Sequence, residues 1–188
     1  MLNNMKRGHL KIFFKEYIEG TPEKAVVADQ KMLLCRLTLA VAQGIEIHDS
    51  IRGVYVTSRC LKHLFDKKPA EEFLFIIDHL HEIARYPDKI YLNKEAKRGC
   101  FCFVKIINGV EYFCSLEIKK TPPAIYGEAG LGISEYGEEK EIEEIQVATA
   151  FRMRKKYIKN YTLLWDWGDG NPHRSALDTP KESTNAPQ

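Results

Sequence analysis

Over 188 residues the chain is 44% apolar and 29% charged with a formal net charge of +2, a globular composition that buries a core without needing disulfides or metal. No run approaches the ~20 apolar residues of a membrane-spanning helix, and five cysteines, an odd number without a Cys-x-x-Cys pair, argue against a disulfide framework. With no early apolar run behind a charged start, the expected setting is a reduced cytoplasm, with no membrane partner.

From the N-terminus, Ile12-Phe13-Phe14-Lys15-Glu16-Tyr17-Ile18 is rich in β-formers and stops at Gly20-Thr21-Pro22, and an apolar run restarts at Ala25-Val26-Val27. That pattern predicts a strand pair joined by a turn. Between Asp29 and Gln43 two readings compete: Cys35, Leu37, Leu39 and Val41 alternate as in a strand, while Asp29 can cap a helix, Ala40 and Ala42 favour one, and Gly44 sits where it would end. The caps tip the expectation toward helix.

Val54-Tyr55-Val56 reads as a strand entering a short helix capped by Thr57 or Ser58. On that helix Leu61, Leu64 and Phe65 share one face, which leaves Lys62 and His63 on the other. A longer helix runs from about Pro69 to Arg85, with Glu71 and Glu72 at its positive end and Phe73, Ile76, Ile77, Leu80, Ile83 and Ala84 spaced three and four apart. His79 and His81 flank that apolar stripe on opposite sides and cannot converge on one metal.

Beyond Tyr86-Pro87 the pattern turns to strands over 89–92, 100–107, 110–118, 145–151 and 161–165. Asn108-Gly109 between two apolar runs is a strong hairpin signal. Cys100 and Cys102, alternating along one strand, place both thiols on one face and read as packing residues, since no neighbouring Cys or His completes a metal set. The stretch from Ala124 to Glu144 is an acidic, Gly-rich loop, and the tail over 168–188 is expected to be disordered. Helices ahead of a run of antiparallel strands give an α+β domain with helices on one face of an antiparallel sheet.

Charge is unevenly spread. Residues 127–146 hold seven acids against Lys140, a balance of −6, whereas 147–162 hold Arg152, Arg154, Lys155, Lys156 and Lys159 with no acid, a balance of +5. A basic stretch of this kind suits a phosphate backbone, and it equally describes a solvated strand edge.

The order Leu61-Lys62-His63, Pro87-Asp88-Lys89-Ile90, Val147-Ala148-Thr149-Ala150-Phe151 and a final Leu163-Leu164-Trp165 resembles the barnase/EndoU/colicin/RelE-like nucleases of phages and mobile elements. The resemblance covers residues 54–167 as the nuclease domain and leaves 1–53 as an N-terminal extension of unassigned role, integrated with the domain. It implies a barnase/RelE-like fold, RNA as substrate, cleavage without metal or cofactor, and, as for toxins of this kind, an inhibitor or immunity protein as a further partner.

Such cleavage needs a base for the 2′-hydroxyl proton, an acid for the leaving 5′-oxygen, and positive or hydrogen-bonding groups around the phosphorus. His63 is the candidate for proton transfer, because histidine titrates in the right range; a plain surface histidine is the competing account. The resemblance puts a hydroxyl residue on the late strand, which is Thr149, although strict alternation would set it beside Val147 and Phe151 in the core. Arg152 would stabilise developing charge, yet it leaves the strand on the face opposite Thr149. Lys62, Arg98, Lys105, Lys155 and Lys156 are the basic candidates for substrate binding. No second acid/base group can be named beside His63, which keeps open a non-catalytic RNA- or protein-binding protein on the same fold, or an inhibitor-like module whose acidic loop mimics nucleic acid. Walker, dinucleotide and Gly-x-Ser-x-Gly motifs are absent.

Overall fold

Four helices and seven strands follow one another in a computed structural model that describes residues 3–96, 99–121, 142–154 and 157–167. In chain order they are α1 (Asn3–Tyr17), β1 (Lys31–Arg36), α2 (Leu39–Gly44), a 3-10 turn at Asp49–Ile51, β2 (Gly53–Thr57), α3 (Ser58–Lys67), α4 (Ala70–Arg85), β3 (Lys89–Leu92), β4 (Phe101–Ile107), β5 (Val110–Thr121), β6 (Ile142–Arg152) and β7 (Thr162–Asp166). The class is α+β. Of the stretch expected as an acidic loop from Ala124 to Glu144, residues 142–144 are instead the start of β6, where Glu143 and Glu144 pair with Lys120 and Lys119 of β5; the rest of it, and the tail over 168–188, lie outside the described residues.

The strands form one sheet in the order β1-β2-β6-β5-β4-β3-β7. Its pairings are antiparallel except for β2 with β6, where Val54 lies beside Ile145 and Tyr55 beside Gln146 in parallel register. The expected wholly antiparallel sheet is therefore corrected to a mixed one. The cause is connectivity: β2 runs directly into α3, and β6, returning from β5, arrives beside β2 in the same sense. At the expected hairpin, Asn108 (φ 52°) and Gly109 (φ 75°) both take left-handed conformations, as a tight two-residue turn between right-twisted strands requires.

Two N-terminal expectations fail. Residues 12–17 belong to α1 rather than to a strand, because Leu10, Phe13, Phe14 and Ile18 recur at helical spacing and are buried together. The β propensity of the Ile-Phe-Phe run yields to that period. Residues 29–43 are not one helix: 31–36 form β1, paired with β2, and only Leu39–Gly44 are helical, capped by Thr38, whose hydroxyl accepts the Val41 N–H at 3.2 Å.

The main core lies between the helices and one sheet face, and Cys102, Val104 and Phe113 form a smaller apolar cluster on the other. Phe14, Phe65 and Phe73 pack with ring centroids 5.0–5.3 Å apart, while Leu61, Leu64, Ile76, Ile77, Leu80 and Ile83 are sealed against Val54, Val56, Phe103, Leu116 and Ile145. Leu10, Phe13 and Phe14 from α1 join the same cluster, as do Leu34 and Cys35 from β1. Among the described residues no helix is long and apolar enough to cross a membrane.

Candidate functional site

Strand register decides what the sheet face away from the helices presents. On β5, Tyr112, Cys114 and Leu116 turn to the helices, which places Phe113, Ser115, Glu117 and Lys119 on the other side. A bulge then resets β6: Ser115 pairs with Thr149 but Leu116 with Val147, leaving Ala148 as the extra residue. Val147 therefore enters the core, while Thr149 joins Phe151, Gln146 and Glu144 on the face away from the helices. The alternation that would have placed Thr149 on the same face as Val147 is broken at this bulge.

The backbone also approaches closely here. Gly99 has φ +68°, and a Cβ on it would stand 2.6 Å from Ser115 Oγ and 3.0 Å from the Ala148 Cβ, so only glycine fits against the bulge. The Cys60 thiol, from α3, lies 3.7 Å from the Ala148 carbonyl oxygen on the same bulge.

Ser115, Glu117, Glu144 and Gln146 are buried polar side chains of this face. Glu144 accepts from Lys31 Nζ at 2.5 Å and from the Gln146 amide, and Lys31 also sits over the Tyr55 ring, 5.2 Å from its centroid. Burial works against the charge on Glu144, yet the hydrogen bonds from Lys31 and Gln146 and the charges of Lys31 and Lys119 outweigh it and hold the carboxyl below its ordinary range. Lys119 pairs with Glu117 at 3.4 Å.

Two clefts open along β6. The first, of about 600 Å³, lies where α3 begins: Thr57, Arg59, Cys60 and His63 face Lys119 of β5 and Gln146, Val147 and Ala148 of β6, with Asp29 at the rim. Local sequence builds this helix start. The Thr57 hydroxyl accepts the Cys60 N–H at 3.1 Å, and the buried Ser58 hydroxyl donates to the Ala28 carbonyl at 2.5 Å while accepting the Gln30 N–H at 3.0 Å, which ties the preceding loop to α3. His63 is exposed, and Arg59, one turn earlier on the same helical face, pairs with Asp29 at 3.3 Å.

Lys62 does not share that exposed face. It is buried, its ammonium donating to the Pro22 carbonyl at 2.7 Å and to Asp66, which in turn accepts the Lys24 N–H at 3.0 Å. The reason is helical geometry: Lys62 and Asp66 are four apart and clamp the loop at 21–25 onto α3. The Lys62 hydrogen bond holds the Asp66 carboxyl below its ordinary range.

The second cleft, of about 390 Å³, lies at the end of β6 and is lined by Lys68, Glu72, Thr149, Phe151, Arg152, Arg154 and Tyr157. Thr149 and Arg152 meet here although they leave opposite faces of β6, because the strand ends beside Lys68 and Glu72; Glu72 accepts the Arg152 N–H at 3.0 Å. His63 lines the first cleft and not this one, so the three proposed catalytic residues do not share one pocket. Lys105 is elsewhere, on the helix-side face of β4, bound to Asp88 at 2.8 Å. Arg98, Lys155 and Lys156 lie outside the described residues.

Sequence reasoning passed over Arg59, Lys119 and Gln146. The first had a signal, its four-residue spacing from His63; the other two depend on sheet register and on a bulge that no local pattern announces. Among the described residues no group of three or more His, Cys, Asp or Glu side chains is placed to hold a metal ion. Comparison of the chain with protein-family models, curated proteins and solved structures gives no match.

Proposed function

We propose that the protein is a metal-independent endoribonuclease of barnase/RelE-like architecture and that the cleft at the start of α3 is where RNA is cut. One observation carries this reading: an exposed imidazole, His63, shares a cleft with two cations brought from separate elements, Arg59 on α3 and Lys119 on β5. A phosphodiester seated there would have positive charge on two sides and a proton-transfer group beside it. His63 takes the 2′-hydroxyl proton or delivers one to the leaving 5′-oxygen, the 2′-oxygen forms its bond to phosphorus as the 5′-oxygen leaves, and a 2′,3′-cyclic phosphate results. Gln146 lines the same space while its amide donates to Glu144. Thr149 and Arg152, in the next cleft, would hold an adjoining phosphate.

A second reading has its own observation. Asp29, the carboxylate at the rim of the first cleft, is paired with Arg59, and among the described residues His63 is the one histidine lining that cleft. A protein that holds RNA without cutting it fits that arrangement. Incubation with single-stranded RNA in chelator, followed by end-group analysis, separates the two. Fragments ending in 2′,3′-cyclic phosphate support the nuclease, and intact RNA retained on the protein supports the binding module.

A further inference from the structure

We infer that the cleft at the end of β6 is a nucleotide subsite, in which Tyr157, backed by Phe151, stacks a base while Arg152, Arg154 and Lys68 hold its phosphate. The proposal rests on the RNA reading for the identity of the chain that enters it, and on its own geometry for the site.

The rings come first. Phe151 stacks on Phe113 with centroids 4.6 Å apart, Tyr157 stands edge-on to Phe151 at 4.8 Å, and Tyr157 is 49% exposed. With Phe113 stacked on Phe151 and Lys68 Nζ over the same ring, Phe151 is a fixed backing, and the half-exposed Tyr157 held edge-on to it is the ring against which a base can lie. The charge is beside the rings. Lys68 Nζ sits 4.8 Å from the Phe151 centroid, and Arg152 and Arg154 are exposed at the cleft. Glu72 is the opposing carboxylate of the lining, and it is already engaged by the Arg152 N–H at 3.0 Å and by Lys68 at 3.8 Å. The lining thus has a net positive balance next to aromatic surface and the Thr149 hydroxyl, the combination that single-stranded nucleic acid uses and that an acidic peptide, lacking a flat ring to stack, fills only in part.

Position supplies the rest. Ala148 lines the His63 cleft and Thr149, the next residue, lines this one, so one strand of nucleic acid following β6 would pass from one cleft to the other.

The test uses the full chain and a 2′-O-methyl RNA hexamer, which binds but cannot be cut because its 2′-oxygens carry no proton. Fluorescence anisotropy should show binding that Tyr157→Ala weakens by about 5- to 100-fold. Tyr157→Phe, which keeps the ring, should restore it, and Arg154→Ala should lower the slope of log K against log salt by about 0.7. Circular dichroism confirms that each variant is folded. Hexamer binding indifferent to both Tyr157→Ala and Arg154→Ala overturns the subsite. So does polyglutamate that binds with the same Tyr157 dependence when the hexamer does not, an outcome that points to an acidic protein partner. Binding with the expected Tyr157 dependence but no cleavage of ordinary RNA leaves the subsite standing and removes the nuclease reading, so the two failures are distinct.

Discussion

On the helix-covered face of the sheet, Val54, Val56, Phe103, Leu116, Ile145 and Ala150 belong to the main core packed under α3 and α4, whereas the opposite face buries Ser115, Glu117, Glu144 and Gln146 beside a small apolar cluster of Cys102, Val104 and Phe113, and two clefts open along β6 between strand and helix residues. Both faces are made from the same strands. Burial on the first is rewarded by area alone, so any well-fitting apolar residue serves, while on the second every buried polar atom needs a partner of defined geometry. Most of the apolar core lies on one side, and the buried polar groups lie on the other.

The strongest way to break that division is to remove bulk from the covered side. Phe73→Ala, at the centre of the Phe14–Phe65–Phe73 cluster, should destabilise the fold by about 3–5 kcal/mol. Urea unfolding measures it, and a loss below about 1 kcal/mol would show that this ring is not central to the core.

Gly99→Ala attacks the face away from the helices through the backbone alone. The left-handed conformation and the close Ser115 contact together should cost about 2 kcal/mol. A melting temperature equal to that of the parent would mean that the Gly99 segment does not press on the β6 bulge as described.

Acid sharpens the comparison with a smaller effect. Asp66 and Glu144 have carboxyls held below their ordinary range, the first by the Lys62 hydrogen bond and the second by Lys31 and Gln146 acting against burial. A depressed folded pKa stabilises the fold above the unfolded value of about 4, and the gain disappears as pH falls through the folded values. Stability should therefore decline below about pH 4, and Glu144→Gln with Asp66→Asn should flatten that limb. An unchanged acid limb in the double variant would assign the decline to other carboxylates.

Where the sequence speaks through periodicity, the structure follows it. The apolar stripe of α4 and the Asn108-Gly109 hairpin stand as expected, because each is dictated by residues within one element. The failures have a common cause in competition between local signals. In α1 the β-forming residues also had helical spacing and burial against α4 decided between them; at Lys62 the partner Asp66, four residues on, was within reach of the sequence, but the loop at 21–25 that closes over the pair was not. The clefts were the least legible feature. Arg59 could have been found from its spacing to His63, but Lys119 and Gln146 reach the site through strand order and the Ala148 bulge, which are long-range properties of the fold.

The central claim, that the cleft at the start of α3 performs the chemistry, is tested by comparing a histidine that lines this cleft with one that lines neither cleft. His63 lines the first cleft, whereas His79 stacks on Phe75 of α4 with ring centroids 4.3 Å apart, and Phe75 in turn stacks on Tyr112. RNA cleavage measured in chelator should fall by ~10² or more in His63→Ala and stay within a few-fold of the parent in His79→Gln. Equal rates in the two variants, or cleavage that persists in His63→Ala, would contradict the account.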